Sequence, residues 1–85
     1  MKIKDIRLMG TNQTRTDGKY AQRIGSEVEF HIQPEIGMCM FLKYIKDNKG
    51  NDKTGILRTS VVVSVFENES EIVVATYNSI YYFEK

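Results

Sequence analysis

Glu27-Val28-Glu29-Phe30-His31-Ile32-Gln33 alternates polar and apolar residues without a break. In an extended chain successive side chains point to opposite faces, so this period of two sends Val28, Phe30 and Ile32 to one side and Glu27, Glu29, His31 and Gln33 to the other. A helix would scatter the same residues around its axis. The stretch predicts a strand with one buried face, and the chain around it carries the same signature.

Downstream, Pro34-Glu35-Ile36-Gly37 reads as a turn, since proline fixes φ and glycine accepts positive φ. Met38 to Ile45 follows as a more apolar strand, with Met40, Leu42 and Tyr44 on one face. The polar run 47–55 cannot pack a core and predicts a hairpin tip. Ile56 to Phe66 is the longest strand candidate; simple alternation puts Leu57, Thr59, Val61, Val63 and Val65 on one face. Glu67 to Glu71 turns the chain, and Ile72 to Tyr77 and Ile80 to Phe83 close it as two short strands around an Asn78-Ser79 loop. Upstream, Lys2 to Met9 predicts a first strand and 10–18 a glycine-bracketed loop, while Lys19 to Ile24 reads as a short strand or an irregular approach. No segment has the periodicity of a helix.

Five to six short antiparallel strands without a crossover helix predict an all-β domain. The expected form is a small barrel, Src-homology-3-like or oligonucleotide-binding-like, or else a strongly bent sheet. A bent open sheet would leave edges that pair with another copy. With 85 residues, 41% of them apolar, the chain has material for a single core, spanning 1–85. Small domains gain stability from disulfides, metals or self-association. Cys39 is the single cysteine and His31 the single histidine, so neither an intrachain disulfide nor a four-ligand zinc site can form, which leaves a homo-oligomer as the expected aid.

No apolar run reaches the length of a membrane span, and Met1 to Asp5 lacks the apolar core of a secretory signal, so the expectation is a cytoplasmic protein with no membrane partner. Asn12-Gln13-Thr14 and Asn68-Glu69-Ser70 match the glycosylation sequon but read as turns in such a protein. The net charge of +1 conceals alternating blocks: residues 1–23 and 43–58 are basic, 24–42 and 59–85 acidic. This balance argues against a general nucleic-acid binder, though the two basic blocks would make a local patch if they met in space.

Catalytic constellations are absent from the pattern. His31 lies between glutamates on a solvent-facing strand side, without the nucleophile and orienting partner that a catalytic histidine needs. Cys39 sits between methionines, the setting of an inert thiol. Glu27 and Glu29 share one face but read as edge protection and solubility. Gly50 and Gly55 bracket a polar hairpin with no helix after it to receive a phosphate. The chain is therefore expected to be non-enzymatic and to carry no cofactor or metal.

What stands out is polarity inside apolar strands. Arg58-Thr59-Ser60 opens the longest strand, and Thr76-Tyr77-Asn78-Ser79-Ile80-Tyr81 forms the closing hairpin. Brought together in a barrel, these segments would offer a guanidinium, hydroxyls, a side-chain amide and aromatic faces. Such a set suits an anionic, planar ligand: Arg58 matches phosphate oxygens, Asn78 reads a base edge, and Tyr81 stacks. Lys19, Tyr20 and Arg23 would add cations and a ring. The candidate ligand residues are Arg58, Thr59, Ser60, Asn78, Ser79, Tyr81, Tyr20 and Arg23. Each also has an ordinary role, since Thr and Tyr are good strand formers, Asn-Ser is a common turn pair and an arginine stem covers apolar surface.

Leu57-Arg58-Thr59-Ser60 with Val61 to Val65, Ile72-Val73-Val74-Ala75-Thr76, Asn78-Ser79-Ile80-Tyr81-Tyr82-Phe83, and Tyr20-Ala21-Gln22-Arg23-Ile24-Gly25-Ser26 together resemble short accessory proteins encoded by phages and prophages of low-GC Gram-positive bacteria. The resemblance covers most of the chain outside its two polar loops and carries no residue role. It implies a small non-enzymatic protein that opposes host defence, by blocking a defence protein or by sequestering a signal nucleotide in an oligomeric binder. The leading expectation is thus capture of a nucleotide-type ligand. The alternatives are an inhibitor that docks its tyrosines and methionines on a host enzyme, and a module for single-stranded nucleic acid.

Overall fold

β-branched and aromatic residues form six strands: β1 Lys2–Leu8, β2 Glu27–Phe30, β3 Cys39–Lys46, β4 Ile56–Glu67, β5 Glu71–Thr76 and β6 Ser79–Glu84. The computed structural model describes every residue, Met1–Lys85. Each strand runs antiparallel to its neighbours in chain order, and β6 returns to β1, so the sheet closes into a barrel with the all-β character expected. The seam is slight between β1 and β2, where Lys2↔Glu27 is the registered pair. Beyond it, the 10–18 segment folds back on β1 through Leu8 N–H to Gln13 O and Arg15 N–H to Ile6 O, both 2.7 Å. A stretch expected to be only a loop thus covers part of the first strand's edge.

Ile3, Ile6, Val28, Met40, Leu42, Leu57, Val62, Ile72, Val74, Tyr81 and Phe83 make one core, with the Phe30 ring edge-on to Phe83 at 5.4 Å. Met40 and Leu42 point inward with Tyr44 half-buried, as the sequence predicts. Bulges interrupt strict alternation elsewhere. An extra residue between Ile3 and Asp5 lets Ile3 and Ile6 both face in. In β4, extra residues fall between Arg58 and Val61 and again between Val62 and Ser64. Consequently Leu57, Thr59 and Val62 are buried, while Val63 and Val65 are exposed, which corrects the single-face reading of this strand. The bends arise because β4 must leave β3 and join β5, with β3 pairing its first half and β5 its second.

Three further expectations are corrected. Ile32, assigned to the buried face, is 60% exposed. The β2–β3 ladder ends at Phe30, with one last bond from His31 N–H to Phe41 O at 3.0 Å, after which the chain swings out through Pro34 so that Gly37 N–H and Met38 O bond Val62 instead. Residues Tyr20–Arg23, read as strand or irregular, form a one-turn helix, α1. Four residues are too few to display a helical period in sequence. Gly25, at φ +93°, turns the chain from α1 into β2, and a Cβ there would lie 3.3 Å from that of Asn48. Finally, the closing hairpin turns on Tyr77 and Asn78, because Ser79 already belongs to β6 and is buried.

Candidate functional site

All eight residues singled out from the sequence line one recess of about 310 Å³: Tyr20 and Arg23 from α1, Arg58, Thr59 and Ser60 from β4, and Asn78, Ser79 and Tyr81 from the hairpin and β6. Thr76 completes the wall. The first β4 bulge brings Ser60 to the turn, where its Oγ accepts the Asn78 N–H at 3.3 Å. The helical turn places Tyr20 and Arg23 three residues apart on one face, over the same opening.

These residues divide into a fixed wall and a free rim. Thr59 Oγ1 accepts the Met40 N–H at 3.1 Å and donates to Ser60 O at 2.8 Å, holding β3 to β4 at the bulge. Thr76 Oγ1 donates to Ser79 O at 3.0 Å and accepts Ser79 N–H at 3.2 Å, locking the hairpin. Tyr81 is buried, its ring stacked near Phe83 at 6.2 Å, so the face offered for stacking is spent on the core and only the hydroxyl end serves the recess. Burial pushes its phenol up to about 12, against the pull of the Arg23 guanidinium, so the hydroxyl keeps its proton at neutral pH. Burial also raises the Tyr44 phenol, again opposed by Arg23.

On the rim, the Arg58 side chain is exposed and makes neither a hydrogen bond nor an ion pair. Arg23 lies 4.7 Å from the Tyr20 ring centroid and likewise has no carboxylate partner. The nine lining residues include no acid at all. The Asn78 side-chain amide is uncommitted, while its backbone carbonyl accepts Met9 N–H at 3.2 Å. Two guanidiniums thus share a lining with polar hydroxyls and no carboxylate, a set of donors whose chemistry complements an anion.

Sequence reasoning missed Arg15. Its guanidinium lies 3.8 Å from the Tyr20 centroid, donates to Ser79 Oγ at 2.9 Å and holds both Asp17 oxygens. The Asp17 hydrogen bonds raise its pKa and lower that of Asp17. Tyr20, expected to add a ring to the site, is therefore bracketed by two cations of its own chain and orients them. The Arg15-x-Asp17 spacing was the one available signal. Tyr77, 64% exposed, was also missed; with Leu8, Met9, Arg15, Tyr20 and Asn78 it borders an adjoining shallow depression and presents a free ring.

At the opposite end of β5, a wider depression is lined by Lys4, Glu69, Ser70, Glu71, Glu84 and Lys85. Both of its lysines are paired, Lys4 with Glu71 at 3.6 Å and Lys85 with Glu67 outside the lining at 2.6 Å, while Glu69 and Glu84 form no ion pair. No three His, Cys, Asp or Glu side chains converge to hold a metal ion, and no helix is long and apolar enough to cross a membrane. Compared with protein-family models, curated proteins and solved structures, the chain matches none of them.

Proposed function

We propose that this protein is a non-enzymatic binder of an anionic, nucleotide-type ligand held in the Arg23–Arg58 recess. The observation that carries the reading is the pair of guanidiniums, both without an ion-pair partner, over a lining free of carboxylates. Phosphate oxygens fit the two arginines, a base edge meets the free Asn78 amide, and the exposed Tyr77 ring supplies the stacking surface that Tyr81 does not. Taken with the resemblance to phage accessory proteins, the reading becomes capture of a host signal nucleotide in the cytoplasm. Isothermal titration against cyclic and linear nucleotides tests it. Binding to the wild type, weakened about tenfold or more by Arg58→Ala, supports the reading; absence of heat with every nucleotide overturns it. The Arg58 side chain is exposed and forms no hydrogen bond or ion pair, and alanine keeps its backbone pairing with Phe41, so the variant should fold normally.

The binder is proposed to be a dimer formed through β4. Past Val62, where β3 and the 36–38 turn end, residues 63–67 pair only with β5, and their other edge is open. Val63, Val65 and Phe66 stand exposed there, without the lysine, proline or covering loop that keeps monomeric edges apart. A second copy fits by antiparallel pairing centred on Val65. In that register Ser64 faces Phe66 and Val63 faces Glu67, whose charge is already held by Lys85, so no two charges oppose each other. A dimer by native mass spectrometry that Val65→Lys converts to monomer supports this, and a monomeric wild type refutes it.

A further inference from the structure

Beside the recess lies a second one of about 290 Å³, lined by Lys19, Gln22, Arg23, Tyr44, Lys53, Ile56 and Leu57. The two share Arg23, which lines both. The second opening repeats the chemistry of the first. It contains no carboxylate, and Lys19, Arg23 and Lys53 all lack an ion-pair partner. Lys53 Nζ rests 4.1 Å over the Tyr44 ring, which holds the ammonium at the rim without neutralising it. Lys19 precedes α1 and Lys53 belongs to the loop before β4, so the helix and the loop present their cations to the same opening.

Either recess alone sits at the lower limit of volumes that enclose a small ligand, and the pair together is roughly double that. Four unpaired cations over two neighbouring openings that share Arg23 also exceed what one phosphate requires, since a single bidentate guanidinium with one further cation already serves it. We propose that the ligand is a dinucleotide carrying two phosphates, one between Arg58 and Arg23 and the other between Arg23, Lys19 and Lys53. This deepens the proposed function and rests on it. Ile56 and Leu57 form the apolar part of the second opening, and Ile56, 49% exposed, offers surface for the second base or ribose.

The test compares adenosine monophosphate, the 5′-phosphorylated dinucleotide pApA and the longer oligonucleotides of the same series, by titration calorimetry on wild type, Lys19→Glu, Lys53→Glu and Arg58→Ala. Both lysines lie outside the core on exposed segments, so their reversal should leave the thermal midpoint in place. The expected result is that pApA binds at least tenfold more tightly than the monophosphate. Each lysine reversal should remove about tenfold from pApA and much less from the monophosphate, while Arg58→Ala weakens both. Equal affinity for monophosphate and pApA, insensitive to both lysine variants, overturns the two-phosphate assignment and leaves the first recess standing. Affinity that keeps rising with oligonucleotide length also overturns it, in favour of a single-strand binder. No heat with any of these probes, in a protein that does bind other nucleotides, overturns it as well; no binding to any nucleotide removes both readings.

Discussion

Thr76→Val asks whether the recess wall is structure or receptor. Valine keeps the size and β-branching of threonine, so strand propensity is preserved and the hydroxyl alone is lost. That hydroxyl makes two hydrogen bonds to the Ser79 backbone at a site 1% exposed. At about 1 kcal/mol net for each bond, the substitution should cost about 2 kcal/mol. A chain of this length has a total stability of roughly 4–13 kcal/mol, so the variant remains folded. Its thermal midpoint should fall by roughly 8–16 °C, at about 4–8 °C per kcal/mol. Urea titration and thermal melts followed by circular dichroism measure both quantities. Because the hydroxyl is committed to the hairpin, ligand affinity should change little, opposite to Arg58→Ala, which should weaken binding and leave the melt alone. A Thr76→Val cost below about 0.5 kcal/mol, the range of an ordinary surface change, would refute the locking role. Large loss of affinity with an unchanged melt would move Thr76 from the wall to the ligand.

Ionisation gives two more tests. Tyr81, held near 12 in the fold against an ordinary 10, stabilises the protein fully below pH 10 and loses that contribution as pH rises towards 12, because the unfolded phenol ionises first. Urea midpoints across this window should fall less steeply in Tyr81→Phe; equal slopes would count against the buried, protonated phenol. Burial pushes the Asp5 carboxyl up, but hydrogen bonds from Arg7, Thr14 and the Ile6 N–H outweigh it and hold the group below its ordinary 3.8. Its stabilisation is present above that value and disappears as pH falls through the lowered one, so Asp5→Asn should flatten the acid limb of the stability curve. A wild-type limb unchanged by the substitution would remove Asp5 from the account.

The barrel was legible because alternation is a direct imprint of a sheet with one buried face. Glu27 to Phe30 and Met40 to Tyr44 each kept the phase read from their residues. The phase failed where closure, a property of the whole sheet, intervenes. β4 takes two extra residues to pass from β3 to β5, one at Thr59-Ser60 and one at Val63, and neither stretch is marked in the sequence as a bulge. The one-turn helix escaped for a related reason: it is shorter than the period that would reveal it, and it rests on Gly25 and on the Tyr20 N–H to Asp17 O bond at 3.1 Å.

The candidate site was legible for a different reason, since polar residues inside apolar strands must find partners or water, and a closed barrel leaves few places for them. Arg58 and Asn78 meet because the start of β4 and the β5–β6 turn lie at the same end of the barrel. Their surroundings were less legible because a side chain's function depends on what its neighbours leave free. Tyr81 looked like a stacking ring and is core; Thr59 and Thr76 looked like ligand hydroxyls and fasten the backbone; Tyr20 looked like one more ring for the site and carries Arg15 and Arg23 against it. Once those groups are set aside, the free chemistry narrows to Arg58, Arg23, the Asn78 amide and the ring of Tyr77. The first three line one recess and Tyr77 borders the depression beside it, and the Thr59 and Thr76 hydroxyls that fasten the backbone there hold the rim in place. Positive charges that line one recess repel one another, and an anion bridging them relieves that repulsion as well as forming its own contacts. On this argument ligand binding should raise the melting temperature more at low ionic strength than at high, and an increase independent of salt would show that charge is not what the recess recognises.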